Sequence, residues 1–104
     1  MPAKFRVSIT RAAENDIDQA WSFIAQDSPE AADKFISEEQ IETLEIFPNR
    51  WALIPENGIL GTRYRHMVYG DYRTVFRVAR RTVYVLRVIY GARLLDASMF
   101  EGLE

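Results

Sequence analysis

Between positions 63 and 93 the chain carries eight arginines, at 63, 65, 73, 77, 80, 81, 87 and 93, and one acid, Asp71. No lysine falls in this stretch. Arginine presents a planar, permanently charged fork that grips a carboxylate or a phosphate through two parallel hydrogen bonds. His66, the only histidine, lies among these arginines. Its ordinary pKa is close to neutrality, so it is the natural proton carrier of the group. The stretch closes on "VLRVIYGAR", Val85–Arg93, which begins as a strand and ends in a glycine turn followed by an arginine. Tyrosine, glycine and arginine at a strand end make an active-site rim, or equally a strand terminus with a surface charge. The arginines themselves read either as anion-binding groups or as solvated strand faces.

Residues 1–62 hold five Lys/Arg against eleven Asp/Glu, so the net charge of −2 conceals an acidic first half and a basic second. A length of 104 residues with 48% hydrophobic content suits one domain spanning 1–104 with a modest core. The absence of cysteine excludes disulfides and thiolate metal sites, and one histidine excludes a multi-histidine site. An oxygen-only site remains conceivable, but nothing in the sequence argues for it, so no cofactor or metal is expected. The start "MPAKFRVSIT" lacks the apolar run of a signal peptide, and no run approaches membrane-spanning length. A soluble, cytoplasmic protein without membrane contact is the expectation.

"KFRVSIT" alternates, with Phe5, Val7 and Ile9 on one side, and predicts a half-buried strand. Thr10 then caps a helix whose Ile17, Ala20, Trp21 and Ile24 share a face and which ends near Gln26–Asp27. Ser28 and Pro29 start a second helix, expected to reach about Phe47, where "FPN" stops it. The short link predicts an antiparallel helical hairpin. Residues 48–61 read as a loop that must partly pack, through Trp51, Leu53, Ile54, Ile59 and Leu60. Three strands follow, about Arg63–Tyr69, Tyr72–Ala79 and Thr82–Tyr90, joined at "YGDY" and "ARRT" by two-residue turns. The tail, 94–104, suits a short helix with Leu95 and Met99 on one face. The fold class is α+β: a strand, a helical hairpin and a three-strand antiparallel meander, with the helices on one face of a small sheet.

With two-residue turns at both hairpins, one sheet face holds Met67, Tyr69, Tyr72, Thr74, Phe76, Val78, Val83, Val85 and Ile89, and is assigned to the helices. Arg63, Arg65 and Arg87 fall on that face and need carboxylate partners or water there. The opposite face holds Tyr64, His66, Val68, Arg73, Val75, Arg77, Tyr84, Leu86, Val88 and Tyr90. It is expected to lie open for a protein partner, because little chain remains to cover it.

The strand–hairpin–meander order, "DSPEAADKFI", "IFPN", "YGDYRTVFRV" and "LRVIYGAR" together resemble the RelE/ParE superfamily, the toxins of bacterial plasmid-stabilising type II toxin–antitoxin modules. The likeness covers residue 5 to about 95. It implies one of two activities: metal-independent cleavage of mRNA, usually on the ribosome, by RelE-like members, or inhibition of DNA gyrase by ParE-like members. It also implies a small antitoxin that wraps the toxin in a hetero-oligomer. Arg73 matches a RelE-type arginine at the scissile region, Arg93 a second phosphate-contacting arginine, and Arg65 the place of a RelE-type lysine. Metal-free cleavage needs a base, an acid and cations for the phosphate. Arg73, Arg77 and Arg93 are the candidate cations and His66 and Tyr90 the candidate proton carriers, Tyr90 only if its pKa falls considerably.

The chain departs from the RelE pattern at Met67, near an expected lysine, and after Arg93, where Met99 and Phe100 stand in place of a tyrosine. Tyr90 replaces a histidine found in some relatives. Net acidity also suits ribosome or mRNA binding poorly. The reading is a ParE-like toxin acting on DNA gyrase and neutralised by a cognate antitoxin. The contact set is Arg73, Arg77, Tyr84, Leu86, Val88, Tyr90 and Arg93, together with the acidic helical hairpin. The alternatives are a RelE-like mRNA endonuclease using Arg73, Arg93, Arg65, His66 or Tyr90, and a non-toxic protein-binding module.

Overall fold

A computed structural model describes residues 4–35, 43–91, 93 and 95–103. Strand β1 (Arg6–Ile9) leads into helix α1 (Arg11–Asp27) and helix α2 (Pro29–Phe35). Strands β2 (Arg65–Tyr69), β3 (Tyr72–Ala79) and β4 (Thr82–Tyr90) follow. They form one mixed sheet in the order β1-β4-β3-β2, with β1 parallel to β4 and the meander antiparallel. This is the α+β architecture that the sequence predicts.

Local chemistry explains the helix ends. Thr10 stands in extended backbone, and its hydroxyl oxygen accepts from the Ala13 N–H at 3.1 Å. Ser28 ends α1 by donating its N–H to the Ile24 carbonyl at 2.9 Å and starts α2 by accepting from the Ala31 N–H at 3.2 Å. Pro29 follows at the first helical position, where a missing N–H costs nothing. Ala13 and Ala20 carry α1 onto the sheet, with Ile17 and Ile24 partly buried beside them. Trp21, expected on that face, is 37% exposed and donates its indole N–H to Asp33 of α2. The expected run of the second helix to Phe47 falls partly on residues 36–42, outside the described residues. Residues 43–45 are helical, and Phe47 turns left-handed (φ 54) before Pro48, a stop reinforced by the proline's bar against α-backbone in the residue ahead of it.

Both predicted hairpin pairings hold: Tyr69 opposes Tyr72 and Ala79 opposes Thr82. The face assignment fails beyond them. Val75 pairs with Arg87 but Phe76 with Val85, so Leu86 is an extra residue, a β-bulge. Everything after it on β4 changes sides. Val88, expected on the open face, packs with the helix-side cluster of Met67, Phe76, Val83 and Val85. Ile89, expected toward the helices, packs with Val75 and Leu86 on the other side. Helix α1 serves this bulge. The Thr10 hydroxyl donates to the Leu86 carbonyl at 2.9 Å, and Asp16 accepts from the Val88 N–H at 3.0 Å.

The second face is not open either. Ile54 and Leu60 from the connecting segment, with Leu95, Met99, Phe100 and Leu103 from the tail, build a second core over Tyr64, Val75, Leu86 and Ile89. The tail does this as a 3₁₀ turn, Ala97–Phe100, capped by Asp96, rather than as an α-helix. The segment before β2 is held by Asn57, whose side-chain amide pairs with the backbone of Tyr64 in both directions at 2.9 Å.

Candidate functional site

The arginines that the sequence singles out are distributed among several separate sites. Arg73 lies on β3 opposite Val68 and Ile89, and is only 7% exposed. Glu56, from the connecting segment, closes on it as a bidentate partner. Arg73 Nη1 donates to Glu56 Oε1 at 3.1 Å, and Nη2 donates to Oε2. Nη2 also reaches the Arg93 carbonyl at 3.3 Å. His66 Nδ1 stands 3.4 Å from Nη1, a contact in which the imidazole nitrogen can only accept. The Arg73 Nε has no hydrogen-bond partner among the described residues.

This arrangement sets the protonation states. The Arg73 hydrogen bond, opposed by burial, holds the Glu56 carboxyl below the usual carboxylate range. Burial first, and the Arg73 charge second, push His66 below its ordinary 6.5, with Glu56 pulling the other way. A neutral imidazole therefore lines a cleft of about 340 Å³ with Tyr72, Arg73, Tyr90 and Gly91. Asp71 lines it too. A phosphate entering here meets one carboxylate at the rim and a second already occupying the buried cation. Breaking such a buried pair costs about 3–5 kcal/mol.

Arg87 is committed elsewhere. Its Nε and Nη2 donate to the two oxygens of Asp16 at 2.6 and 2.9 Å, and Nη1 donates to the Met99 carbonyl at 3.0 Å. This knot ties α1, the bulge and the tail together, which meets the expectation that Arg87 needs a carboxylate. Arg65 takes the Trp51 carbonyl at 2.6 Å, apart from the His66–Arg73 contact. Arg77 lies over the Tyr84 ring, 4.2 Å from its centroid.

Arg73 and Arg93, expected to form one rim, meet only through the Arg93 backbone. The Arg93 side chain is exposed and lines a separate cleft of about 320 Å³ with Phe23, Tyr72, Arg87 and Tyr90. Tyr90 is 50% exposed and sits edge-on to Tyr72, 5.7 Å between centroids. Beside it Phe23 of α1 is 63% exposed. Leu86 and Val88, expected as partner contacts, are buried in the two cores, because the tail covers one and the bulge rotates the other inward.

Three residues of these sites escape the sequence reading. Asp16 and Glu56 sit in stretches that look like ordinary acidic surface, and Phe23 lies off the apolar stripe of α1. Only the isolation of Phe23, an aromatic residue outside its helix's apolar face, signals its exposure in advance. Among the described residues, no group of three or more His, Cys, Asp or Glu is placed to hold a metal ion, and no helix is long and apolar enough to cross a membrane.

The family model described as the ParE toxin of the type II toxin-antitoxin system, parDE, matches residues 7–95. Among solved structures, the chromosomal ParDE toxin–antitoxin system from P. aeruginosa superimposes with a TM-score of 0.59 at 22% identity, covering 83% of this chain and 95% of that one. This likeness is one of fold. None of the curated proteins matches the chain.

Proposed function

The chain belongs to the ParE toxin family of type II toxin–antitoxin systems, and from that premise we propose that it is a gyrase-directed toxin, without hydrolytic activity, restrained by a cognate antitoxin. The observation that carries the non-hydrolytic part is the Arg73–Glu56 pair. Metal-free phosphodiester cleavage needs a cation free to meet the charge that develops on the phosphate. The arginine that would serve is buried and already holds a carboxylate. His66 is thus left with an occupied cation, and the exposed Arg93 side chain beside Tyr90 lines a different cleft from His66.

The antitoxin surface follows from what is left exposed. Phe23, Tyr69, Tyr90 and the Arg93 side chain border the cleft beside α1 or lie close to it, and large aromatic groups open to solvent next to a cation suit an amphipathic protein segment carrying acid. These residues favour a partner on the helical side and the rim over one on the second sheet face. Hetero-oligomer formation with the antitoxin belongs to the same proposal.

The test is a gyrase supercoiling assay with the purified chain in excess, repeated after addition of the antitoxin. Loss of supercoiling that the antitoxin reverses is the expected result. Undisturbed supercoiling with no accumulation of DNA breaks overturns the gyrase assignment. Primer extension on translated mRNA, compared with an Arg73→Ala variant, examines the ribonuclease alternative, whose support is the neutral imidazole beside the cleft.

A further inference from the structure

The second sheet face is covered over only part of its area. The tail and the connecting segment lie over Tyr64, Val75, Leu86 and Ile89, and Tyr84 packs partly against that cluster, whereas Arg6, Ser8 and Thr82, nearer the β3–β4 turn, are not part of it. Arg6 is exposed on β1 beside Thr82 of β4, and Arg77 of β3 lies across from Tyr84 on the other side of β4. Arg80 and Arg81 form the turn itself. Among the described residues, no ion pair joins Arg6, Arg77 or Arg80 to a carboxylate. Glu45, which accepts the Phe5 N–H through its backbone carbonyl, has its carboxylate on Lys4.

We propose that this half-face, Arg6, Arg77 and Arg80 around Tyr84, is a binding surface for the phosphate backbone of duplex DNA. Charge fixes the ligand as an anion, and the geometry selects among anions. The cations sit on β1, on β3 and in the β3–β4 turn, with β4 between the two strands, so Arg6 and Arg77 stand two strand spacings apart, roughly 10 Å. That spread fits phosphates strung along a stiff strand better than one small anion. A peptide that adds to a sheet uses a free strand edge. Here β4 and β3 are each paired on both sides, and the free edge at this half-face is that of β1, where an added strand would lie beside Arg6 and away from Arg77 on β3. A single strand would be held largely by base stacking on open aromatic rings. The one aromatic ring on this half-face, Tyr84, is covered by the Arg77 guanidinium at 4.2 Å. That stacking also fixes the plane of the fork before any phosphate arrives, so less side-chain freedom is lost on binding. The Arg77 Nε is buried and has no hydrogen-bond partner among the described residues.

The choice of duplex DNA accords with the gyrase proposal, since gyrase works on duplex DNA, but affinity for DNA is a property of this chain alone and is measured without gyrase. A short labelled duplex is titrated with the purified chain and followed by anisotropy over a series of salt concentrations. Three phosphate contacts predict a log–log salt slope of about −2.7. The double variant Arg6→Gln/Arg80→Gln changes two exposed side chains. It is expected to fold normally, to reduce the slope to about −0.9, and to bind more than tenfold more weakly. Arg77→Ala should act in the same direction, and Arg11→Gln, on the exposed start of α1, should change neither quantity.

Absence of binding at low salt overturns the proposal. So does an unchanged slope in the double variant, an equal loss from Arg11→Gln, tighter binding of single-stranded DNA or RNA than of the duplex, or equally effective competition by polyglutamate. Duplex binding with no gyrase inhibition would leave this surface standing and remove the gyrase assignment. Gyrase inhibition without duplex binding would do the reverse.

Discussion

The two ends of the sheet use arginine in opposite ways. At one end, Arg73 and Arg87 are each gripped by a carboxylate from outside the sheet, Glu56 and Asp16. At the other, Arg6, Arg77 and Arg80 have no such partner among the described residues. The strands at both ends read alike in sequence. The difference comes from what the rest of the chain delivers to each. Helix α1 and the segment before β2 bring acids to the end where the bulge and the tail must be anchored, and among the described residues no ion pair joins an acid to Arg80 in the turn between β3 and β4. A run of arginines is therefore two populations, one holding the fold and one facing outward.

Asp16 breaks the comparison most severely if removed. Its carboxylate serves the Arg87 fork and the Val88 N–H at once. Asp16→Ala strands a partly buried cation and a bulge donor together, so a loss of about 2–4 kcal/mol is expected, read as a lower urea midpoint. Glu56→Gln is milder. It keeps one acceptor for Arg73 and should cost about 1–3 kcal/mol. It also removes the one group that raises the His66 pKa, so the imidazole should titrate lower still, as an NMR titration can follow.

His66 gives a smaller effect confined in pH. Its folded pKa lies below the 6.5 of the unfolded chain. As pH falls through 6.5 the unfolded state takes up a proton that the folded state refuses, so stability declines from there down to the folded value. Glu56 adds a second decline at more acidic pH, where its lowered carboxyl finally protonates. A His66→Gln variant should lose the upper decline and keep the lower. Arg80→Gly should have the smallest effect. Arg80 holds a left-handed φ of 57 that glycine adopts without strain, so a gain of up to about 1 kcal/mol is expected, with weaker DNA binding in the same protein. Opposite signs for stability and binding would mark Arg80 as a surface residue kept for contact rather than for folding.

The elements and both hairpins are legible in the sequence because their signals are local: Thr10 and Ser28 as caps, Pro29 at a helix start, and "YGDY" at a two-residue turn. The assignment of faces is not. A bulge at Leu86 leaves no mark in a strand of alternating apolar residues, and one inserted residue exchanges every side chain beyond it. Val88 and Ile89 change places for that reason. Leu86 is on the face where alternation puts it, yet it is buried, because the tail folds back over that face. Long-range placement of this kind depends on Leu95, Met99 and Phe100 finding a surface, and no local pattern states which. The site suffers in the same way. Arg73 is visible as a candidate, while its partner Glu56 lies 17 residues earlier in an unremarkable loop.

One preparation of the chain assayed in parallel for gyrase inhibition and for cleavage of translated mRNA separates the readings most directly. The pairing of Arg73 with Glu56, together with membership of the ParE family, predicts inhibited supercoiling and intact mRNA. Cleaved mRNA that depends on Arg73, with gyrase unaffected, would contradict it.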